Sequence, residues 1–337
     1  MPQDQVQTDT LQLTANGAVA LGSVAQKLVA NGMNVAGLRT NDVLTKDEWV
    51  QYDNAIVGVA RQRLVAVGAL MDRGLSYSIN NGLGTTVVQW DQASDMSGAN
   101  VDMSGTTAGE EDRMVFELKA LPLPITHKDF RINIRNLLAS RRNGDGLDTT
   151  QAEMAARLVA EKIESILFDG SSITGGGGTI YGYTNFPQRN TGSISNWALG
   201  ATTGETIVTN VLTMIGDLQQ NNNMYGPYEL YVPYDYWNRL MDDYKAASDR
   251  TILERILAIP GVEAVRPSNN LSGGASGEVV MAQMTKDVVD MVDALQPTNV
   301  QWESHGGMVQ NFKVMAIMVP RLKADQNSQC GIAHYSV

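Results

Sequence analysis

One stretch limits what this chain can become: Leu121 to Asn185. It begins Leu-Pro-Leu-Pro-Ile-Thr-His-Lys-Asp-Phe-Arg-Ile, passes a polar Arg/Gly/Asp turn, and runs on as a long amphipathic segment ending Phe-Asp-Gly. Thr150-Gln151-Ala152-Glu153 reads as a capping box, in which hydroxyl and carboxylate each satisfy a backbone N–H left open by the first helical turn. Behind it Ala155, Leu158, Val159, Ile163, Ile166 and Leu167 recur at three- and four-residue steps, one apolar stripe of a helix. Gly170 predicts its end. A helix over 150–169 is a rod of roughly 30 Å at about 1.5 Å per residue, and the rest of the chain is read around that spine.

Upstream, residues 1–14 read as a polar arm, and Ala18, Leu21, Ala25, Leu28 and Val29 as a short helix ending near Asn31-Gly32. Thr45-Lys46-Asp47-Glu48 is a second capping box. It opens a helix with Trp49, Tyr52, Ile56, Ala60, Leu64, Val67 and Leu70 on one face and Gly74 at its end. Then the pattern changes. Thr85 to Trp90 has strand propensity. Arg113 to Ala120 alternates, with Met114, Phe116 and Leu118 on one side and Arg113, Glu117 and Lys119 on the other. A Ser/Gly/Asp/Thr/Met-rich tip lies between. This is a long two-stranded excursion. Such a hairpin is marginal alone in water, so it is expected to lie on something else, another subunit included.

After the spine, Gly175 to Gly178 opens a flexible Gly/Asn/Ser-rich loop to about residue 204. Thr206 to Leu218 predicts a helix and Tyr228 to Pro233 a buried strand. Helices are expected at 234–246 and 250–258, and strands at Val262–Val265 and Glu278–Ala282. Residues 287–294 form a strand or short helix. Segments 298–304 and 310–321 alternate as a terminal strand pair. No fixed-period repeat is present, and the class is α+β.

The chemistry is sparse. The net charge is −11 from 25 basic and 36 acidic residues, with no Lys/Arg cluster large enough to read a nucleic-acid groove. Cys330 is the only cysteine, which excludes an intrachain disulfide and a Cys-based zinc site and agrees with a reducing compartment. The N-terminus lacks a signal-peptide pattern and no apolar run is long enough to span a membrane. The Gly175–Gly178 run lacks the Lys-Ser/Thr of a phosphate loop. His305-Gly306-Gly307 has no Gly-x-Ser-x-Gly elbow to serve, which counts against a hydrolase. His127, His305 and His334 are scattered, without metal-ligand spacing. Glu110-Glu111-Asp112 reads as a solvated tip, and Glu161 and Glu164 as salt-bridge or subunit-contact residues. Tyr225, Tyr228, Tyr231, Tyr234, Tyr236, Trp237 and Tyr244 form either a local core or an interface. No catalytic, cofactor or metal set is expected, and no enzyme.

In this order the residues resemble a known family, the Hong Kong 97-type major capsid proteins of tailed bacteriophages, in the branch close to encapsulins. Leu121 to Phe130 is similar to that branch's strand after the extended loop. Arg135, Leu137, Arg141 and Gly146 to Thr149 are similar to its turn into the spine helix. Ala155-Ala156-Arg157, Val159-Ala160-Glu161, Glu164 and Leu167 to Gly170 resemble the spine, and Ile180 to Asn185 the glycine-aromatic stretch after it. The helix ending Met71-Asp72-Arg73-Gly74-Leu75 resembles the phage members' N-terminal region.

The resemblance implies an arm and helix over 1–74 and an extended hairpin loop over 75–125. It implies a peripheral domain over 126–204 and 297–337, and an axial domain over 205–296. It implies a coat protein that assembles in the host bacterial cytoplasm into an icosahedral virion shell of hexamers and pentamers around double-stranded DNA held without sequence-specific contacts. A portal protein, a scaffolding protein and, as a further candidate, a decoration protein are the other implied partners, with no membrane. The alternative is an encapsulin shell around a cargo enzyme. The long lead-in before the hairpin favours the coat. On this reading the candidate inter-subunit contacts are Trp90, Glu110, Glu111, Arg113, Lys119, Arg131, Arg157, Glu161, Glu164, Tyr234 and Trp237.

Overall fold

The computed structural model describes residues 64–93, 116–135, 149–245, 248–305, 308–325 and 327–337, with short stretches at 55–56, 58–60, 101, 103 and 113–114. The expected arm, the short helix after it and the hairpin tip lie outside the described residues. In chain order the elements are α1 (Val65–Asp72), β1 (Ser76–Ser78), β2 (Val87–Ala93), β3 (Phe116–Pro122), β4 (Thr126–Asn133) and α2 (Thr150–Asp169). Then come β5 (Ser171–Gly175), β6 (Gly178–Ile180), β7 (Asn190–Ser193), α3 (Gly204–Asn222), β8 (Tyr228–Pro233), α4 (Tyr234–Leu240) and α5 (Ile252–Leu257). The last are β9 (Val262–Ser268), β10 (Glu278–Gln283), β11 (Val289–Ser304), β12 (Val309–Leu322) and β13 (Ile332–Ser336). The class is α+β, as the sequence implied.

Two compact units divide the chain. One falls within residues 1–86, 123–166 and 291–319, the other within 87–122, 167–290 and 320–337. The first holds a four-stranded sheet in the order β1-β11-β12-β4. β1 runs parallel to β11, with Ser76 opposite Met291. β12 and β4 are antiparallel from Val309↔Asn133 to Ala316↔Thr126, and Phe130 stacks on Phe312 with centroids 5.0 Å apart. Of residues 287–294, left open between strand and helix, all from Val289 onward are the start of β11.

The spine helix is present over 150–169, but its cap sits one residue earlier than expected. Thr149 donates its hydroxyl to Glu153 Oε1 at 2.7 Å, and its carbonyl accepts from the Glu153 N–H. The buried stripe is Ala152, Ala155, Ala156, Val159, Ala160, Ile163, Ile166 and Leu167. Leu158, assigned to that stripe from its spacing, is exposed. At about 100° per residue it lies a quarter-turn off Val159, and the alanines take the face instead. The upstream helix is not continuous as read: Leu64 leaves helical geometry (φ −81°, ψ 79°) and α1 restarts after it.

The second unit is built on a mixed sheet in the order β7-β13-β10-β8-β9. β8 is buried along its whole length, because both faces of this central strand are covered. Trp197, Val211, Met214, Leu218, Tyr228, Leu230, Tyr236 and Met281 share one core with it. α3 is capped by the Thr203 hydroxyl, which accepts from the Thr206 N–H, and ends where Asn223 turns left-handed (φ 54°). It runs longer at both ends than the expected 206–218. Helix α4 stops at Leu240, shorter than the expected 234–246. Glu229, with no exposed surface, accepts from Tyr231 Oη at 2.8 Å and from Arg266 Nε at 3.2 Å. The segment Gly175–Gly178, expected to be a flexible loop, is the turn of the antiparallel pair β5–β6; Gly176 and Gly177 both take positive φ, which glycine adopts without strain.

Candidate assembly interface

The two-stranded excursion exists. β2 and β3 pair antiparallel from Val87↔Pro122 to Ala93↔Phe116, with Trp90 opposite Lys119. Its outer half is exposed: Phe116 is 63% and Leu118 60% accessible. They lie on the same side of the strand, as period-two geometry requires, and Met114 just before it is exposed as well. The strand's inner end, Leu121 and Pro122, is buried. β3 thus goes from solvent to core within seven residues.

The root is braced from two sides within its own unit. β5–β6 packs so closely on β3 that a Cβ at Gly178 would stand 1.9 Å from the Ala120 carbonyl oxygen, and one at Gly176 2.9 Å from Val87 Cγ1. The segment ending β12 braces β2. The Arg321 guanidinium lies over the Trp90 ring, 5.4 Å from its centroid. Gln92 Nε2 donates to the Ala324 carbonyl at 2.6 Å. Arg321 is in turn held by Asp290, which accepts from Nε at 2.8 Å and Nη2 at 2.5 Å. Lys323 Nζ reaches the same carboxylate at 2.8 Å and donates to the Lys286 carbonyl at 2.5 Å. A cleft of about 420 Å³ lies beside these residues, lined by Trp90, Lys119, Leu121, Tyr181, Phe186 and Arg321 among others.

The sequence-derived contact residues fall in different places. Trp90 and Lys119 stand at the hairpin root, where Lys119 pairs with Glu117 at 2.6 Å. Arg113 is exposed just before β3, and Arg131 is exposed on β4. Glu110 and Glu111 lie outside the described residues. On the spine, Arg157 and Glu161 face each other one turn apart at 3.6 Å. Glu164 is different: only 7% accessible, it accepts from the backbone N–H groups of Ala66 at 2.6 Å and Val67 at 3.2 Å. It caps the N-terminus of α1, which has no cap of its own, and a carboxylate there also meets the positive end of the helix dipole. That makes it an intrachain cap rather than a surface group. Tyr234 is exposed at the start of α4, while Trp237 packs against the second unit's core. Of the tyrosine cluster, Tyr228, Tyr231 and Tyr236 are core and Tyr225 and Tyr234 face outward.

Sequence reasoning missed Asp290, Arg321 and Lys323. A signal was available: Asp290 and Arg321 each sit inside an apolar run, Val289 to Leu295 and Val314 to Leu322, and a charge in such a run is found paired.

Solved structures share this architecture. The virus-like particle from Pyrococcus furiosus superimposes with a TM-score of 0.61 at 16% identity, covering 85% of this chain and 98% of that one. The capsid of Myoviridae phage XM1 matches at 0.61 and 14%, covering 78% and 90%. The capsid of the native GTA particle matches at 0.57 and 9%, covering 79% and 89%. In sequence, the type 1 encapsulin shell protein EncA of Myxococcus xanthus (strain DK1622) is 31% identical over 134 residues, 39% of this chain and 44% of that protein. The chain thus spans less than half the length of that curated relative. The fold is the Hong Kong 97-type fold shared by these capsid and virus-like-particle structures. Residues 31–335 match one family, described as a family of unknown function (DUF6260), and the chain belongs to it.

Proposed function

We propose that this chain is a structural shell subunit that associates with copies of itself into a closed icosahedral particle of hexamers and pentamers. One observation carries the reading: β3 presents Phe116 and Leu118 to solvent on one side of a strand that within its chain pairs only with β2 among the described residues. Contiguous exposed apolar surface marks an interaction site, and a marginal hairpin gains most from lying on a second copy. Closed symmetry then multiplies a modest contact over many copies.

As a coat protein it encloses double-stranded DNA in a virion; the acidic net charge of −11 suits enclosure without adhesion. A portal, a scaffold and a decoration protein are its partners in that case. The partial match to EncA favours a second reading, a nanocompartment around a protein cargo. Expression followed by sedimentation and electron microscopy tests the shared claim: shells, sheets or capsomers are expected. A monodisperse small oligomer at every salt concentration overturns it. Nucleic acid inside native particles selects the coat, and a co-purifying enzyme selects the nanocompartment.

A further inference from the structure

A projecting hairpin can place a neighbouring copy only as accurately as its root holds its direction. Both strands are held by contact: Gly178 lies against the Ala120 carbonyl of β3 with no room for a single added carbon, and Gly176 stands close to Val87 of β2. β2 is held by side-chain chemistry as well. Asp290 grips Arg321 through two of its nitrogens, which locks the plane of the guanidinium. That plane is the surface on which the Trp90 ring rests. Gln92, two residues on, is tied to the Ala324 carbonyl. Beside the Trp90–Arg321 contact lies open volume, about 420 Å³, into which the ring and its strand have room to move once that contact is lost.

Resting on the shell reading above, we propose that Trp90, Arg321 and Asp290 are positioning residues: they set the angle at which the β2–β3 hairpin leaves its unit, and through that angle the curvature of the shell. From Trp90 to the last pair of the ladder at Ala93 is three residues at about 3.3 Å each, roughly 10 Å, so a swing of about 10° at Trp90 moves that end about 2 Å. A shift of that size changes where a neighbour seats. An ordinary core role would affect stability but leave particle size alone.

The test uses the full chain with Trp90→Leu, Arg321→Met and Arg321→Lys. Arg321→Lys keeps the charge for Asp290 but loses the planar fork. Two readouts are taken: hydrogen–deuterium exchange over 87–92, and particle diameter by electron microscopy. In Trp90→Leu, exchange over 87–92 is expected to rise roughly tenfold and the diameters to broaden or shift, with Arg321→Lys between it and the parent. Unchanged exchange overturns the anchor. Raised exchange with the parent's single diameter overturns the link to curvature. If Arg321→Met fails to fold, Trp90→Leu decides, because it leaves the Asp290–Arg321 pair intact. If the parent chain forms no shells, the shell reading and the curvature link fall together, while the exchange comparison still decides whether these residues anchor the hairpin.

Discussion

Two strands of this chain have closely similar sequences and opposite surroundings. β8 reads Tyr-Glu-Leu-Tyr-Val-Pro and every residue is buried. β3 reads Phe-Glu-Leu-Lys-Ala-Leu-Pro and its first three residues are exposed. In β8 the glutamate is enclosed and bound by Tyr231 and Arg266. In β3 the glutamate, Glu117, makes an ion pair with Lys119 at the surface. What separates them is neighbours: β8 is hydrogen-bonded on both edges, to β10 and β9, and among the described residues β3 is on one, to β2. A strand's apolar letters therefore say that it will be covered. They do not say whether its own chain or another copy covers it.

Substitutions in the two regions should separate stability from assembly. The largest loss is expected on the side of the buried core. Ile163→Asp puts an unpaired carboxylate into the fully buried stripe of α2 and should cost more than about 4 kcal/mol; a soluble variant with the parent's thermal midpoint rejects that face. Next, Tyr231→Ala removes a ring in edge contact with Phe168 at 5.4 Å and stacked near Tyr183 at 5.9 Å. It should lose about 3–5 kcal/mol in denaturant unfolding. Glu229→Ala removes the buried acceptor of Tyr231 Oη and Arg266 Nε and should lose about 2 kcal/mol, whereas Glu117→Ala in β3 should be near neutral; equal losses would erase the contrast between the two strands.

The same core carries a pH signature. Burial, aided by the nearby Arg189 guanidinium, lowers His334 from 6.5 to about 4. Its Nδ1 accepts from Arg189 Nε at 3.2 Å, and Glu278 stands 4.0 Å from Nε2. The unfolded chain takes up this proton first. The contribution is therefore complete above about pH 6.5 and is lost as the pH falls toward 4. His334→Gln should flatten the fall of the thermal midpoint over that window, and an unchanged slope would discard this assignment. The smallest stability effect belongs to the hairpin: Phe116→Ser with Leu118→Ser should shift unfolding by no more than about 0.5 kcal/mol, yet abolish shells in sedimentation. Intact shells from that double variant would break the comparison.

Much of the fold was legible in the letters. The spine, its glycine stop, the Tyr228–Pro233 strand and the two-stranded excursion follow from periodicity and stop signals, which are local. The chain's neighbourly details were not. Gly175–Gly178 carries no local sign that its turn has to fit against Ala120. Glu164 sits in a helix where spacing shows only its angle, and its partners are backbone groups 97 and 98 residues away. The trio at the hairpin root joins residues 90, 290 and 321, and no window of sequence contains them together.

The sequence by itself determined that there would be a capped rod, a two-stranded excursion and a following run of helices and strands, because caps, stops and alternation act over a few residues. It also determined an acidic chain of net charge −11 with one cysteine. The tertiary structure decided which face of the rod is closed by alanine, which glutamate becomes a helix cap, and which cation holds the hairpin's tryptophan. Those outcomes depend on which distant groups meet where water is excluded, and in that setting an unpaired charge or a surplus carbon is most costly.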